Sequence, residues 1–341
     1  MSQTEKQISK AKIAIIGGDA RQLHLARYLA ASAEVSVYGI LPQESIWGLS
    51  DLSTPYSLAT AIKDATAIIL PIPFSRDGTT VNTPLWEEKI PLKEILSTIK
   101  NKDIKIFAGL CTPEFTKLAE ESGCILFDYG LDENIAAAGA LPTAEAALAL
   151  AINETHGLIS GSKVAILGSG RIAAKLSPLL RGVGANVTLC SRRDMGVAGG
   201  DYIPLDQLGK AIDRADVIFN TIPAPTLTPE ILESIKGGLI IDLASPVQGQ
   251  ELPIGITRQQ ATEAGVRVIH ALGLPGKCSP KYSGEMLGEY VLEHLGIKSN
   301  SEPGWQQEPY SSLFDQLDEL LKGKTSHENL LRILRVILHS R

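Results

Sequence analysis

Aromatic side chains are scarce in this 341-residue chain, 5% of the total, which argues against a stacking platform for single-stranded nucleic acid. Positive charge is not in excess either, with 32 Lys and Arg against 38 Asp and Glu and a net charge of -6. No general polyanion-binding role is expected, so an anionic ligand has to be met by local cations or by helix N-termini. The four cysteines, Cys111, Cys124, Cys190 and Cys278, form no C-x-x-C pair and no short spacing to histidine. That pattern disfavours a structural zinc site and fits reduced thiols in a cytoplasmic protein; no metal is expected. Long hydrophobic runs are missing too. "IAIIGG" is too short for a signal sequence, and "IAAAGALPTAEAALALAI" is broken by Pro142 and Glu145, so no membrane segment is expected.

Glycine and proline, by contrast, are plentiful at 31 and 19 residues, and they punctuate a regular rhythm. Short β-branched runs, "KIAIIG", "EVSVYG", "TAIILP", "IKIFAG" and "CILFDYG", alternate with helical patterns before residue 130. From Lys163 the rhythm restarts with "KVAILG", "NVTLCS", "DVIFNTIP", "GLIIDLAS" and "VRVIHALG". Strands alternating with helices predict parallel sheets covered on both faces, here twice in succession. Between the two, "LPTAEAALALAINETHGLISGSK" predicts one long helix with Pro142 in its first turn, ended by Gly157 and hydrophobic nearly all round. A second long helix is expected with Ser279 as N-cap and Pro280 at its first position, running towards Leu295 and returning to the first domain. After Lys298 a linker precedes two amphipathic stretches, the second opened by a capping box of Thr325 and Glu328.

Both halves open with a strand, a glycine turn and a helix, but the turns differ. Gly168-Ser169-Gly170-Arg171-Ile172-Ala173 matches G-x-G-x-x-A, the pattern whose glycines permit a tight turn and close approach of a pyrophosphate to a helix N-terminus. The following strand ends in Ser191, Arg192 and Arg193 where an NAD site usually has an acidic residue; guanidinium groups suit a 2′-phosphate, so NADP is favoured over NAD. Thr221, Ile222 and Pro223, with Ala244 and Ser245, end later strands and are expected to line the dinucleotide. The first turn, Gly17-Gly18-Asp19, carries an acidic residue that disfavours a pyrophosphate; Asp19, Arg21 and Gln22 are instead expected to face substrate. Ser75, Lys277 and Ser279 join them as substrate-binding candidates, and His270, Glu145 and Lys277 are the catalytic candidates.

The expected fold is α/β: two doubly wound Rossmann-like domains with a deep interdomain cleft, plus a C-terminal helical extension. Residues 1–141 and 279–297 would form the substrate-side domain, 142–278 the NADP-binding domain, and 298–341 the linker and C-terminal helices.

Taken together, "IAIIGGDARQ", "ILPIP", "PTAEAALALAI", "VAILGSGRIA", "NTIP", "DLAS" and "GLPGKCSPKYSGEML" resemble the A subunit of dipicolinate synthase over roughly Lys12 to Leu295. The resemblance implies NADP-linked oxidation of dihydrodipicolinate, or its hydrated precursor, to dipicolinate. A small dicarboxylate substrate and the flavoprotein-like B subunit of dipicolinate synthase would be its partners, and a homo-oligomer is expected. The sequence departs from the pattern at "PVQG" after DLAS and in the length of its tail. Two other readings stay open: another two-domain dehydrogenase of the alanine or 2-hydroxyacid type, and a non-catalytic nucleotide-binding regulatory protein.

Overall fold

The computed structural model describes residues 11–41, 52–99, 103–194, 201–235, 237–245 and 254–301. The expected C-terminal helices, with Thr325 and Glu328, and the PVQG segment from Pro246 lie outside these residues. The chain divides into two compact units, with boundaries at Gly139/Ala140 and Leu274/Pro275.

Chain order is β1 (Lys12–Ile16), α1 (Ala20–Ala30), β2 (Glu34–Tyr38), α2 (Leu58–Ile62), β3 (Ala67–Ile69), α3 (Leu92–Thr98), β4 (Lys105–Ala108), α4 (Pro113–Glu121), β5 (Ile125–Asp128) and α5 (Glu133–Ala138). It continues with α6 (Ala140–Glu154), β6 (Lys163–Leu167), α7 (Arg171–Gly182), β7 (Asn186–Ser191), β8 (Asp201–Pro204), α8 (Leu208–Ile212), β9 (Val217–Asn220), α9 (Pro229–Leu232), β10 (Leu239–Asp242), α10 (Arg258–Glu263), β11 (Arg267–His270), α11 (Leu274–Cys278) and α12 (Pro280–Leu295).

In the first unit the strands pair in parallel in the order β2-β1-β3-β4-β5. Both faces are buried, as the continuous apolar strands require. Ile13 and Ile15 of β1 pack with Leu25 and Leu29 of α1 and with Leu287 and Val291 of α12. Ala14 and Ile16 face the other way, towards Leu58, Ile62, Ile95 and Phe115. Each large aliphatic side chain so buried contributes about 1.5–3 kcal/mol. The return helix α12 has Pro280 at its first position, as expected, but Ser279 makes no capping bond with its side chain. It lies close against α1 because Gly284 and Gly288 face it: a Cβ on Gly284 would stand 2.5 Å from the Arg21 carbonyl oxygen, and one on Gly288 2.4 Å from the Tyr28 ring.

The second sheet is also parallel, in the order β11-β10-β9-β6-β7-β8. Strand β8, "DYIP", was not among the expected strands. It is short, half-exposed and ends in Pro204, a combination an edge position tolerates because no strand among the described residues pairs with its outer side. Helix α6 begins with Pro142 in its first turn and ends at Glu154. Its Ala144, Ala147 and Ala151 are fully buried in one cluster with Ala173, Leu176 and Leu180 of α7. The stretch Glu133–Glu154 is long and apolar enough to cross a membrane by length and composition alone. Here it is broken into α5 and α6, and small side chains let the α6 backbone approach α7 closely.

Gly284→Leu is expected to lower the stability of the chain by about 1–3 kcal/mol, because backbone atoms rather than a movable side chain occupy the space. A denaturant midpoint equal to that of the wild type would show that α1 and α12 do not pack this way.

Candidate functional site

Parallel sheets bind ligands beyond the carboxyl ends of their strands, where the strand order reverses. In the second unit that point lies between β6 and β9, flanked by the loops after Leu167 and Asn220. Gly168 is held to β7 by a hydrogen bond from its N–H to the Cys190 carbonyl, 2.8 Å. It has φ +106°, and a Cβ there would lie 2.3 Å from Thr221 Oγ1, which itself donates to the Leu167 carbonyl at 2.8 Å. Only glycine fits. Gly170 is the N-cap of α7 and makes no side-chain capping bond, and no atom stands within 4 Å of where its Cβ would be. Ala173, the small residue of the pattern, is fully buried. Ser169 and Ile172 are half-buried, and Arg171 is exposed. This is a cradle shaped for the close approach of a phosphate to backbone N–H groups.

The strand-end residues divide into two kinds. Arg192 and Arg193 are exposed just past β7, while Ser191 is 3% exposed and donates its hydroxyl to the Arg193 carbonyl at 2.6 Å. Ser191 therefore shapes the arginine turn and is not itself open to a phosphate. Thr221 and Ile222 are half-buried, Pro223 and Ser245 exposed, and Ala244 buried. His270 closes β11 with its Nε2 3.3 Å from the Ala244 carbonyl oxygen. Two residues not singled out from sequence, Asn220 and Asp242, are fully buried at the ends of β9 and β10. The signal was present: each is a polar residue closing an otherwise apolar strand.

In the first unit the strand order reverses between β1 and β3, so the loops after Ile16 and Ile69 flank the corresponding position. Here the helix N-terminus already has its anion. Asp19 caps α1 in a reciprocal capping box with Gln22, and its carboxylate accepts from the Arg21 N–H at 3.0 Å. The Arg21 guanidinium returns to the same carboxylate through Nε at 2.9 Å and Nη2 at 2.8 Å, and donates to the Ile72 carbonyl at 2.6 Å. Burial by itself raises the Asp19 pKa, but the hydrogen bonds and charge of Arg21, with the charge of Arg76, outweigh it and hold the carboxyl below its ordinary value.

These contacts bear on the expected roles. Arg21 is 8% exposed, with its guanidinium on Asp19 and Ile72, and Gln22 is fully buried; both take part in building the loop. Ser75 donates to Asp77 and accepts from the Gly78 N–H, which assigns it to the turn at 75–80. In that turn the Thr80 side chain and the Thr80 and Thr79 N–H groups hold the Asp77 carboxyl well below the carboxylate range. What the edge does present is Arg76, exposed and oriented by Nε donating to Asn82 Oδ1 at 3.1 Å, and Lys277, exposed. The neighbouring Gly276 touches the latch: a Cβ on it would lie 2.6 Å from Asp19 Oδ2. The fold thus brings GGDAR and LPGK, distant in sequence, into contact. Ser279 is half-buried beside them, and Glu145 lies on α6 in the second unit. Burial and the Asp128 charge push the Cys111 thiol up, away from the thiolate form. Among the described residues no group of His, Cys, Asp and Glu is placed to hold a metal ion.

Comparison with known proteins agrees with this division. Residues 12–130 match the family model that describes the N-terminal domain of the dipicolinate synthase A subunit. The chain is 29% identical over 299 residues to the dipicolinate synthase A subunit of Bacillus subtilis (strain 168), covering 86% of this chain and 98% of that protein. The chain resembles the A subunit of dipicolinate synthase. The crystal structure of the A subunit from Bacillus halodurans superposes with a TM-score of 0.71 at 26% identity, covering 84% of this chain and 98% of that one. Its Bacillus subtilis counterpart gives 0.70 at 28% identity, covering 86% and 98%. Residues 148–236 match the model described as D-isomer specific 2-hydroxyacid dehydrogenase, NAD binding domain. The second unit is accordingly a nicotinamide dinucleotide-binding domain of the dehydrogenase type, which places the chain among the oxidoreductases.

Replacing Asp19 by Asn removes the carboxylate from a largely buried cation, and a loss of about 1–3 kcal/mol is expected at pH 7. Because the folded pKa lies below the unfolded value of 3.8, this contribution is complete above 3.8 and disappears as the pH falls through the folded value. Denaturant unfolding of both proteins across that range checks the sign. A gap between them that stays constant into acid would remove the ion pair from the account.

Proposed function

We propose that the chain is the NADP-dependent dehydrogenase component that oxidises dihydrodipicolinate, or its hydrated precursor, to dipicolinate. The observation that carries this reading is the asymmetry of the two glycine turns: the one at Gly168–Gly170 leaves its helix N-terminus without a side-chain cap, while the one at Gly17–Gly18 is capped by Asp19. A single dinucleotide, held by the second unit, follows from that difference. The likeness to the dipicolinate synthase A subunit along most of the chain supplies the substrate class.

The turn Gly168-Ser169-Gly170 with the first turn of α7, Arg171 and Ile172, would hold the pyrophosphate. Arg192 and Arg193 would grip the 2′-phosphate, and Thr221, Ile222, Pro223, Ala244 and Ser245 would line the nicotinamide half. When bound, the nicotinamide accepts the hydride released as the dihydropyridine ring becomes aromatic. That ring also loses a proton, so the protein has to orient a planar diacid and accept one proton rather than activate a strong nucleophile. Arg76 and Lys277 supply the exposed cations for the carboxylates, with Ser279 beside them. His270 is the proton acceptor of choice: with the hydrogen on Nε2 donated to the Ala244 carbonyl, Nδ1 is left as an acceptor. Glu145 and Lys277 are the other candidates. A second, flavoprotein-like polypeptide would complete the enzyme, and this chain would itself form a homo-oligomer, in the cytoplasm.

The test is to follow NADPH formation by the full chain with dihydrodipicolinate, alone and with a candidate B subunit, and with 2-hydroxy acids and alanine as competing substrates. Turnover of dihydrodipicolinate is expected; turnover of a 2-hydroxy acid or alanine in its place would favour the other dehydrogenase reading. Cofactor binding without turnover by any combination would favour a regulatory role. Replacing Arg192 and Arg193 together by Ala should weaken NADP by about 10- to 100-fold and NAD far less. Equal weakening of both would reject the 2′-phosphate assignment.

A further inference from the structure

We infer that Asn220 and Asp242, neither of them expected to touch a ligand, are the positioning residues that hold the two nicotinamide-side loops of the second unit in register; this rests on the dinucleotide reading of that unit. Strands β9, β10 and β11 end level with one another. Asn220 and His270 are both register partners of Asp242, so the three polar side chains form one row across adjacent strand ends. Neighbouring parallel strands in register present partner residues on the same face, within reach of one another.

The row is wired in one pattern. Asn220 folds back on its own loop, its Oδ1 accepting from the Ile222 N–H at 3.1 Å and its Nδ2 donating to the Ile222 carbonyl at 3.0 Å. The same Nδ2 donates to Asp242 Oδ1 at 2.8 Å, and that oxygen also accepts from the Ala244 N–H at 3.2 Å. Asp242 therefore ties the loop at 221–223 to the loop at 244–245, and His270 closes the far side against the Ala244 carbonyl. Both Asn220 and Asp242 are fully buried, so no solvent competes for these bonds and each has few alternatives. Burial raises the Asp242 pKa, an effect opposed by Asn220, the Ala244 N–H, the His270 charge and the Ile254 backbone.

A buried carboxylate serving only to neutralise charge would face a cation closely. Asp242 instead points its acceptor at an amide and a backbone N–H, which makes geometry, not charge, its contribution. Such a role is replaceable by a neutral side chain of the same shape. Asp242→Asn retains an acceptor at Oδ1; Asp242→Leu and Asn220→Leu keep the branch at Cγ and lose the bonds.

The experiment measures NADPH and NADH binding by fluorescence titration with the full chain, together with KM and kcat wherever turnover is present. Asp242→Leu and Asn220→Leu are expected to weaken binding by about 10- to 100-fold, as loss of buried hydrogen bonds predicts, while Asp242→Asn stays within about threefold of the wild type across neutral pH. An Asp242→Asn variant as weak as Asp242→Leu would overturn the geometric role in favour of the charge. Leucine variants that bind like the wild type would overturn the inference while leaving the cofactor reading intact. A wild-type chain that binds neither dinucleotide would sink both. Should the leucine variants not fold, hydrogen exchange on the wild type decides: slow exchange of the Ile222 and Ala244 amides before cofactor is added supports the network, and fast exchange of both overturns it.

Discussion

The first turn of a helix that follows a parallel strand carries N–H groups with no partner inside the helix, and much of this structure depends on what satisfies them. Their combined dipole attracts a negative group by about 0.3–1 kcal/mol, and a capping carboxylate contributes about 1 kcal/mol. In the first unit Asp19 takes that place. In the second, Gly170 stands at the cap without a side chain, and a ligand phosphate fits where a carboxylate would otherwise be. Two units of one architecture thus differ in what the residue at a single turn offers the helix N-terminus.

Once Asp19 is present, the surrounding contacts follow from the cost of burying charge. A carboxylate largely removed from water requires a cation and good hydrogen bonds, and Arg21 supplies both through two of its nitrogens. The bulk of that pair then has to be accommodated, which explains why Gly276 stands against it. The exposed cations near that latch are other residues: Arg76, steadied by Asn82, and Lys277, next to the glycine that makes the contact possible.

The second unit solves a related problem without a buried arginine. Apolar strands that end in buried polar residues must satisfy them locally, and Asn220 and the Oδ1 of Asp242 do so by capturing the backbone of the loops that follow. Buried networks of this kind are rigid, and rigidity at strand ends is what a ligand-lining loop needs. His270 belongs to the same row, which gives its imidazole a defined orientation rather than a free one.

Most of the architecture was legible in the amino-acid order, because short apolar runs, glycine turns and Pro280 each impose a local geometry that needs no distant partner. Ten of the eleven strands among the described residues were marked this way; β8 was not, since four half-exposed residues ending in proline become a strand only when β7 offers an edge. The glycine turn of the second unit was equally plain from local constraints. What tertiary structure alone decided is which polar side chains remain open to a ligand. Arg21, Gln22, Ser75 and Ser191 read as binding residues, yet each is engaged by neighbours, while Arg76 and Lys277 stay exposed and Asn220 joins Asp242 across strands. A residue's type and its place in the chain say what bonds it is able to make, but burial and the partners brought near by folding determine which of those bonds it does make.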